Sequence, residues 1–152
     1  KSLGEPDNCT VIRSSIIGEE THNKLSLLEW VKSNKGGSIN GFTNHDWNGV
    51  TCLQMANMCH HIIHFNDFWG GVRHRFSPSV SKYQLVDMIN EIYDLDITIT
   101  AVNAECAVDR TLDSVCNDIV SEPNLYKQIQ ETKEFHDKIR KEEFKKYNDQ
   151  IL

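Results

Sequence analysis

Residues 10–18 read TVIRSSIIG, a short β-branched run bounded by Pro6-Asp7-Asn8 before it and Gly18-Glu19-Glu20 after it. Side chains branched at Cβ suit a pleated surface, and a brief apolar run between turn residues is the pattern of a buried parallel strand. The spacing therefore predicts one strand over Thr10–Gly18.

From there the chain alternates helix and strand. Between Asn23 and about Ser33, Leu25, Leu28, Trp30 and Val31 fall on one side at helical spacing, and Asn34-Lys35-Gly36-Gly37 stops the pattern. Ser38–Thr43 suits a short strand, with Asn44-His45-Asp46 as a polar loop before Trp47. From Thr51 to about Phe65 apolar residues occupy more than one face, which predicts a well-buried helix with Thr51 near its start. Gly70–Phe76 reads as a strand. Ser81 is the expected N-cap of a helix carrying Tyr83, Leu85, Val86, Met88, Ile89 and Ile92. Asp96–Val102 alternates as a half-exposed strand does, and Asp109–Asp113 follows in a loop. Beyond Pro123, dense Lys and Glu with loosely periodic Ile129, Phe135, Ile139 and Phe144 predict a terminal amphipathic helix. This order indicates an α/β domain.

The 152 residues amount to about one domain. Lys plus Arg number 16 against 22 Asp plus Glu, a formal charge of -6, and no dense basic cluster could track a phosphate backbone. Nucleic acid is thus not an expected partner. No apolar run reaches the roughly 18 residues of a spanning helix, and KSLGEPDN lacks the apolar core of a signal peptide. No membrane association and a cytoplasmic location are the expectations. Cys9, Cys52, Cys59, Cys106 and Cys116 form no C-x2-C pair and read as reduced, mostly buried thiols. Lys1 is not preceded by Met, so the chain is expected to begin inside a longer polypeptide.

Several clusters carry chemistry, each beside a plainer alternative. His60 and His64 would share a helix face one turn apart, as in helical zinc sites, but no Glu completes an H-E-x-x-H pattern and histidines suit a helix C-terminus anyway. No metal is expected. Ser14 or Ser15 with His22 and Glu19 has the residue types of a hydrolase triad but no G-x-S-x-G elbow, and no cysteine stands in an active-site context. Arg110, in VDRTLDS, offers a guanidinium fork suited to a diphosphate, with a surface ion pair to Asp109 or Asp113 as the alternative. Arg73 and Arg75 share a strand face opposite His74, which suggests a solvated edge.

Five fragments in order (KSLGE at Lys1–Glu5, VIRSSIIG, FTNHDWNGVTCLQMA, VSKYQLVDMI and DRTLDS) resemble the second half of an extended short-chain dehydrogenase/reductase acting on a nucleotide-activated sugar. The nearest type is the dTDP-4-dehydrorhamnose reductase-like group, and the resemblance runs to about residue 130. It implies the C-terminal part of a Rossmann-type fold: the last parallel strand plus a small α/β substrate-binding lobe. Residues 1–18 would end the dinucleotide-binding domain, and 19–152 would form the substrate-binding portion with its C-terminal helix. Lys1 would be the lysine of the family's Tyr-x-x-x-Lys motif, touching the nicotinamide ribose and lowering the pKa of a proton-donating tyrosine four residues upstream. Ser15 would lie beside nicotinamide and sugar, and residues from Lys24 to Trp30 would line the cleft. Where many relatives carry Arg-Asp-Tyr, with the arginine on the diphosphate, this sequence has Trp47. That departure shifts the diphosphate role to Arg110 and leaves Trp47 to pack on base or sugar.

The resemblance implies NAD or NADP as cofactor, a nucleotide-sugar substrate and a homodimer as one assembly. No G-x-x-G-x-x-G loop, ribose-binding acid or catalytic tyrosine of that family is found in this sequence, so these residues alone are expected to be inert. The expected activity is reduction of a keto group on a nucleotide-linked deoxysugar. An epimerase or dehydratase of the same superfamily, or a non-catalytic sugar-nucleotide-binding domain, is the alternative.

Overall fold

A computed structural model describes residues 5–114 and 124–149. The elements are β1 (Thr10–Arg13), β2 (Ile16–Ile17), α1 (Leu27–Ser33), β3 (Ser38–Phe42), β4 (His45–Trp47), β5 (Val50–Thr51), α2 (Cys52–Phe65), β6 (Gly71–His74), β7 (Val80–Ser81), α3 (Lys82–Tyr93), β8 (Thr98–Val102), β9 (Val108–Arg110) and α4 (Leu125–Asp149). Pairing is mainly parallel: β1 with β6, β2 with β5, β3 with β8 and β4 with β9, while β7 runs antiparallel to β4. Parallel partners require long crossovers, and helices supply them, giving the expected α/β architecture.

The core centres on α3. Its Leu85, Val86 and Ile89 share one apolar cluster with Leu28 and Val31 of α1, Ile39 of β3, and Leu125 and Ile129 of α4. Ser81 caps α3 as expected: its hydroxyl accepts from Gln84 N while Gln84 Oε1 accepts from Ser81 N, satisfying two orphan amides. A second tie is polar. Gln128 of α4, fully buried, accepts from Thr51 N at 3.1 Å and donates to Ser77 Oγ at 2.8 Å. This fixes α4 against the N-cap of α2, where Thr51 Oγ1 accepts from Gln54 N.

The single strand expected over Thr10–Gly18 is two. β1 bonds β6 and β2 bonds β5, with Ser14-Ser15 as the step between them. At that step Ser15 O accepts from Val50 N at 2.9 Å and Ser15 Oγ accepts from Trp47 Nε1 at 2.7 Å. Gly49 makes the crossing feasible, since a Cβ there would lie 2.1 Å from Ser15 O and 2.2 Å from the Trp47 ring.

Other expectations are corrected by tertiary context. α1 starts only at Leu27, capped by Ser26, because Asn23 and Lys24 adopt left-handed φ of 48° and 52°. Leu28 and Val31 are buried, but Leu25 and Trp30 are exposed. Asn44-His45-Asp46 is no simple loop, for His45–Trp47 is drawn into a strand between β7 and β9. Arg110 likewise ends β9 instead of lying in a loop. The helix expected to be well buried, α2, buries Ile62 alone among its described side chains, leaving Ile63 and Phe65 exposed by 67% and 64%. Arg73 and Arg75 do not form a solvated edge: Arg73 lies 4.5 Å over the Trp69 ring and Arg75 is buried. Cys9, Cys52 and Cys106 are exposed and Cys59 half-buried, since they sit at chain turns, a loop and the outward faces of α2; Cys116 lies outside the described residues. Among the described residues no helix is long and apolar enough to cross a membrane.

Gly49→Ala should destabilise the fold by about 2 kcal/mol or more, because backbone rather than a flexible side chain occupies the space a methyl would need. Thermal unfolding checks this, with a melting temperature lowered by several degrees expected and an unchanged one contradicting the close crossing.

Candidate functional site

The β2–α1 connection, β4, β9 and the start of α3 enclose a cleft of about 570 Å³. One wall is Ile16 to Glu20 with Ser26 and Leu27; the other is Phe42, His45, Asp46, Trp47, Val108 and Arg110, and Cys52, Lys82 and Leu85 complete the lining. Strand register explains the second wall. Trp47 pairs with Arg110 on one side and Val80 on the other, so indole and guanidinium stand side by side on one sheet face. His45, against Val108, occupies the same face and packs its ring 4.6 Å from that of Phe42.

The expected site residues fare differently. Trp47 and Arg110 line the cleft together. Ser15 stands behind Trp47, fixing the indole through its hydroxyl. Lys24 is exposed in the loop before α1 and is not among the lining residues. Lys1 lies outside the described residues. Arg110 makes no ion pair with Asp109 or Asp113 among the described residues; the Asp109 carboxylate instead accepts from Thr111 N and Oγ1, which hold its pKa low. Lys82 was not singled out by sequence, although a lysine directly after the N-cap of an acid-free first turn was a visible oddity.

The cleft's titratable groups argue for binding rather than nucleophilic attack. Burial, and then the neighbouring Arg110, lower the Lys82 pKa. Burial pushes the Cys52 thiol up, leaving it a protonated, poor nucleophile. No Ser–His–acid hydrogen-bond chain joins Ser15, His22 and Glu19; Glu19 instead pairs with Lys32 at 3.2 Å and with Arg140, and accepts from Tyr93 Oη at 3.0 Å. Burial raises the Glu19 pKa, but Lys32, Tyr93 and Arg140 together outweigh it and hold the carboxyl below its ordinary 4.5. Burial and then Glu19 push the Tyr93 phenol upward, so it serves as a fixed donor. His60 and His64 stack with centroids 5.6 Å apart on exposed α2, and no group of three or more metal-ligating side chains occurs among the described residues.

No protein-family profile and no curated protein matches the sequence. Solved structures do match. A dTDP-4-dehydrorhamnose reductase from Bacillus anthracis in complex with NADP superposes with a TM-score of 0.62 at 13% identity, over 80% of this chain and 46% of that one. The corresponding enzyme from Clostridium acetobutylicum gives 0.59 at 12% identity, over 83% and 48%. A dTDP-glucose 4,6-dehydratase from Bacillus anthracis in complex with NAD gives 0.55 at 14%, over 84% and 44%. The chain therefore shares its α/β fold with part of these solved structures, in line with the fold that the resemblance implied. This chain spans about half the length of the structures it matches.

Glu19 ties the cleft wall to α1, α3 and α4, and its stabilisation follows from its depressed pKa. A carboxyl whose folded pKa is lowered contributes stability above its unfolded pKa and loses it as pH falls through the folded value. Wild-type protein should thus lose stability below about pH 4.5 more steeply than Glu19→Gln, and Glu19→Gln should already be weaker at pH 7 by about 1–3 kcal/mol. Urea unfolding at pH 7 and at acid pH measures both; parallel pH profiles would refute the assignment.

Proposed function

We propose that this chain is the substrate-binding portion of an NAD(P)-dependent oxidoreductase that reduces a keto group of a nucleotide-activated deoxysugar. The observation that carries the reading is the convergence of Trp47, Arg110 and the Ser15-anchored β2 end on one cleft, in a fold shared with dTDP-4-dehydrorhamnose reductases. An indole can cover a base or sugar face, and a guanidinium fork can take a diphosphate. Ser15 orients the indole, and the apolar wall of Ile16, Ile17 and Leu27 excludes water from the sugar.

The described residues do not by themselves fit a dinucleotide: no glycine-rich turn opens a helix among them. The nicotinamide chemistry belongs in this reading to a separate cofactor lobe, for which residues 1–18 form the junction. Two features support a docked lobe. The β1–β6 pair keeps both outer edges free among the described residues, and Ile63, Phe65 and Phe68 expose apolar surface on and after α2. Lys1 is assigned to tuning the motif tyrosine and Ser15 to the nicotinamide side of the cleft. The likeness to a dTDP-glucose dehydratase favours a dehydratase or epimerase as the second reading, since these would use the same cleft.

Two measurements test the proposal. A dTDP-sugar should quench Trp47 fluorescence, and Arg110→Ala should weaken its binding about tenfold, with unchanged affinity removing Arg110 from the site. In protein carrying the cofactor lobe, Lys1→Met should lower turnover on the keto-sugar by roughly 100-fold or more while leaving the melting temperature unchanged. Full activity in Lys1→Met would overturn its role.

A further inference from the structure

Near the C-terminus of α2, Asn57, His60, His61 and His64 are exposed on one side of the helix, opposite its buried Ile62. His60 and His64 are one turn apart, and their rings lie nearly parallel, 13° between planes, with centroids 5.6 Å apart. Phe65 meets the other two faces of the group: its ring lies 4.5 Å from that of His61 and stands at 88° to that of His64. His61 is thus turned to Phe65, while His60 and His64 face each other. The plainer role for histidines at a helix end, donating to its last carbonyls, is not the one they play. Ile62 O and Ile63 O accept from the backbone amides of Asp67 and Asn66, and among the described residues neither His60 nor His64 makes a hydrogen bond or an ion pair.

Two solvent-facing imidazoles with unused nitrogens, set side by side by one turn of backbone, are a bidentate donor set. Imidazole nitrogen suits zinc, nickel and copper, binding zinc at about 2.0–2.1 Å, whereas magnesium and calcium take oxygen. The second imidazole binds as an intramolecular ligand, so the pair holds an ion more tightly than either ring alone. The Glu that the sequence lacks between the histidines is no obstacle, because in H-E-x-x-H it serves as a catalytic base and not as a ligand. The position itself favours a cation, since the last turn of α2 carries the negative end of the helix dipole and His64 lies within it.

We propose that His60 and His64 chelate a divalent transition-metal ion of the zinc and nickel class on the exposed end of α2. No third ligating side chain joins them among the described residues, so the ion keeps open positions for water. The site does not rest on the proposed function. Zn2+ and Ni2+, titrated calorimetrically into the metal-stripped full chain, should each bind at one equivalent, and His60→Gln and His64→Gln should both weaken that binding roughly tenfold or more. His61→Gln, whose ring is turned to Phe65, and Cys59→Ser, at its half-buried neighbour, should bind as the wild type does. Both chelating positions are exposed, so these substitutions leave the fold intact. Because the ion ties together two positions of the folded helix, Zn2+ should also raise the wild-type melting temperature by more than that of either His60→Gln or His64→Gln. No metal binding by the wild-type chain, full affinity in either single variant, an equal loss in His61→Gln or Cys59→Ser, or an equal thermal gain in all variants overturns the chelate.

Discussion

The crossing of Ser15 over Gly49 is the constraint on which the cleft depends. Two chain segments meet there closely enough that a single methyl would collide with a carbonyl oxygen, and two hydrogen bonds, from Val50 N and Trp47 Nε1, lock the approach. The same contact ends β1 and begins β2 on one side, and separates β4 from β5 on the other. Because Trp47 is anchored at its nitrogen, its ring is held against the sheet, with Arg110 beside it. A buried indole N–H without a partner would be costly, so the Ser15 hydroxyl both satisfies and orients the ring.

Charge is distributed around this frame with a clear asymmetry. On the wall formed by Glu19 the acid is fully engaged, bridging Lys32, Tyr93 and Arg140 from three different helices. That network consumes its charge in holding α1, α3 and α4 together. Across the cleft the cations have no such engagement among the described residues: Lys82 is depressed by burial and by Arg110, with no carboxylate paired to it. The Glu19 charge is thus spent on holding helices together, while the cleft is lined by both signs, Lys82 and Arg110 with Glu20 and Asp46.

The apolar residues are divided in a similar way. α3 buries Leu85, Val86 and Ile89, whereas α2 leaves Ile63 and Phe65 in the open, and Phe68 follows. Exposed aromatic and β-branched side chains grouped in one stretch of chain distinguish α2 from the buried α3.

Much of this was legible in the residues themselves. The α/β order, the Ser81 N-cap and the β3 and β8 strands all follow from local periodicity and caps. These are short-range features, dictated by propensities and neighbours within a few positions. The misses share one cause. The break at Ser15, the recruitment of His45–Trp47 into a strand, the exposure of α2 and the placement of Lys82 in the cleft are set by partners far along the chain or by surfaces left without a partner. Sequence alone determined the α/β order of the main helices and strands and marked Arg110 as a residue type able to bind an anion. Only the tertiary structure decided that Trp47, Arg110 and Lys82 face one cavity, because a two-residue-periodic strand presents its side chains to whichever neighbour its register selects.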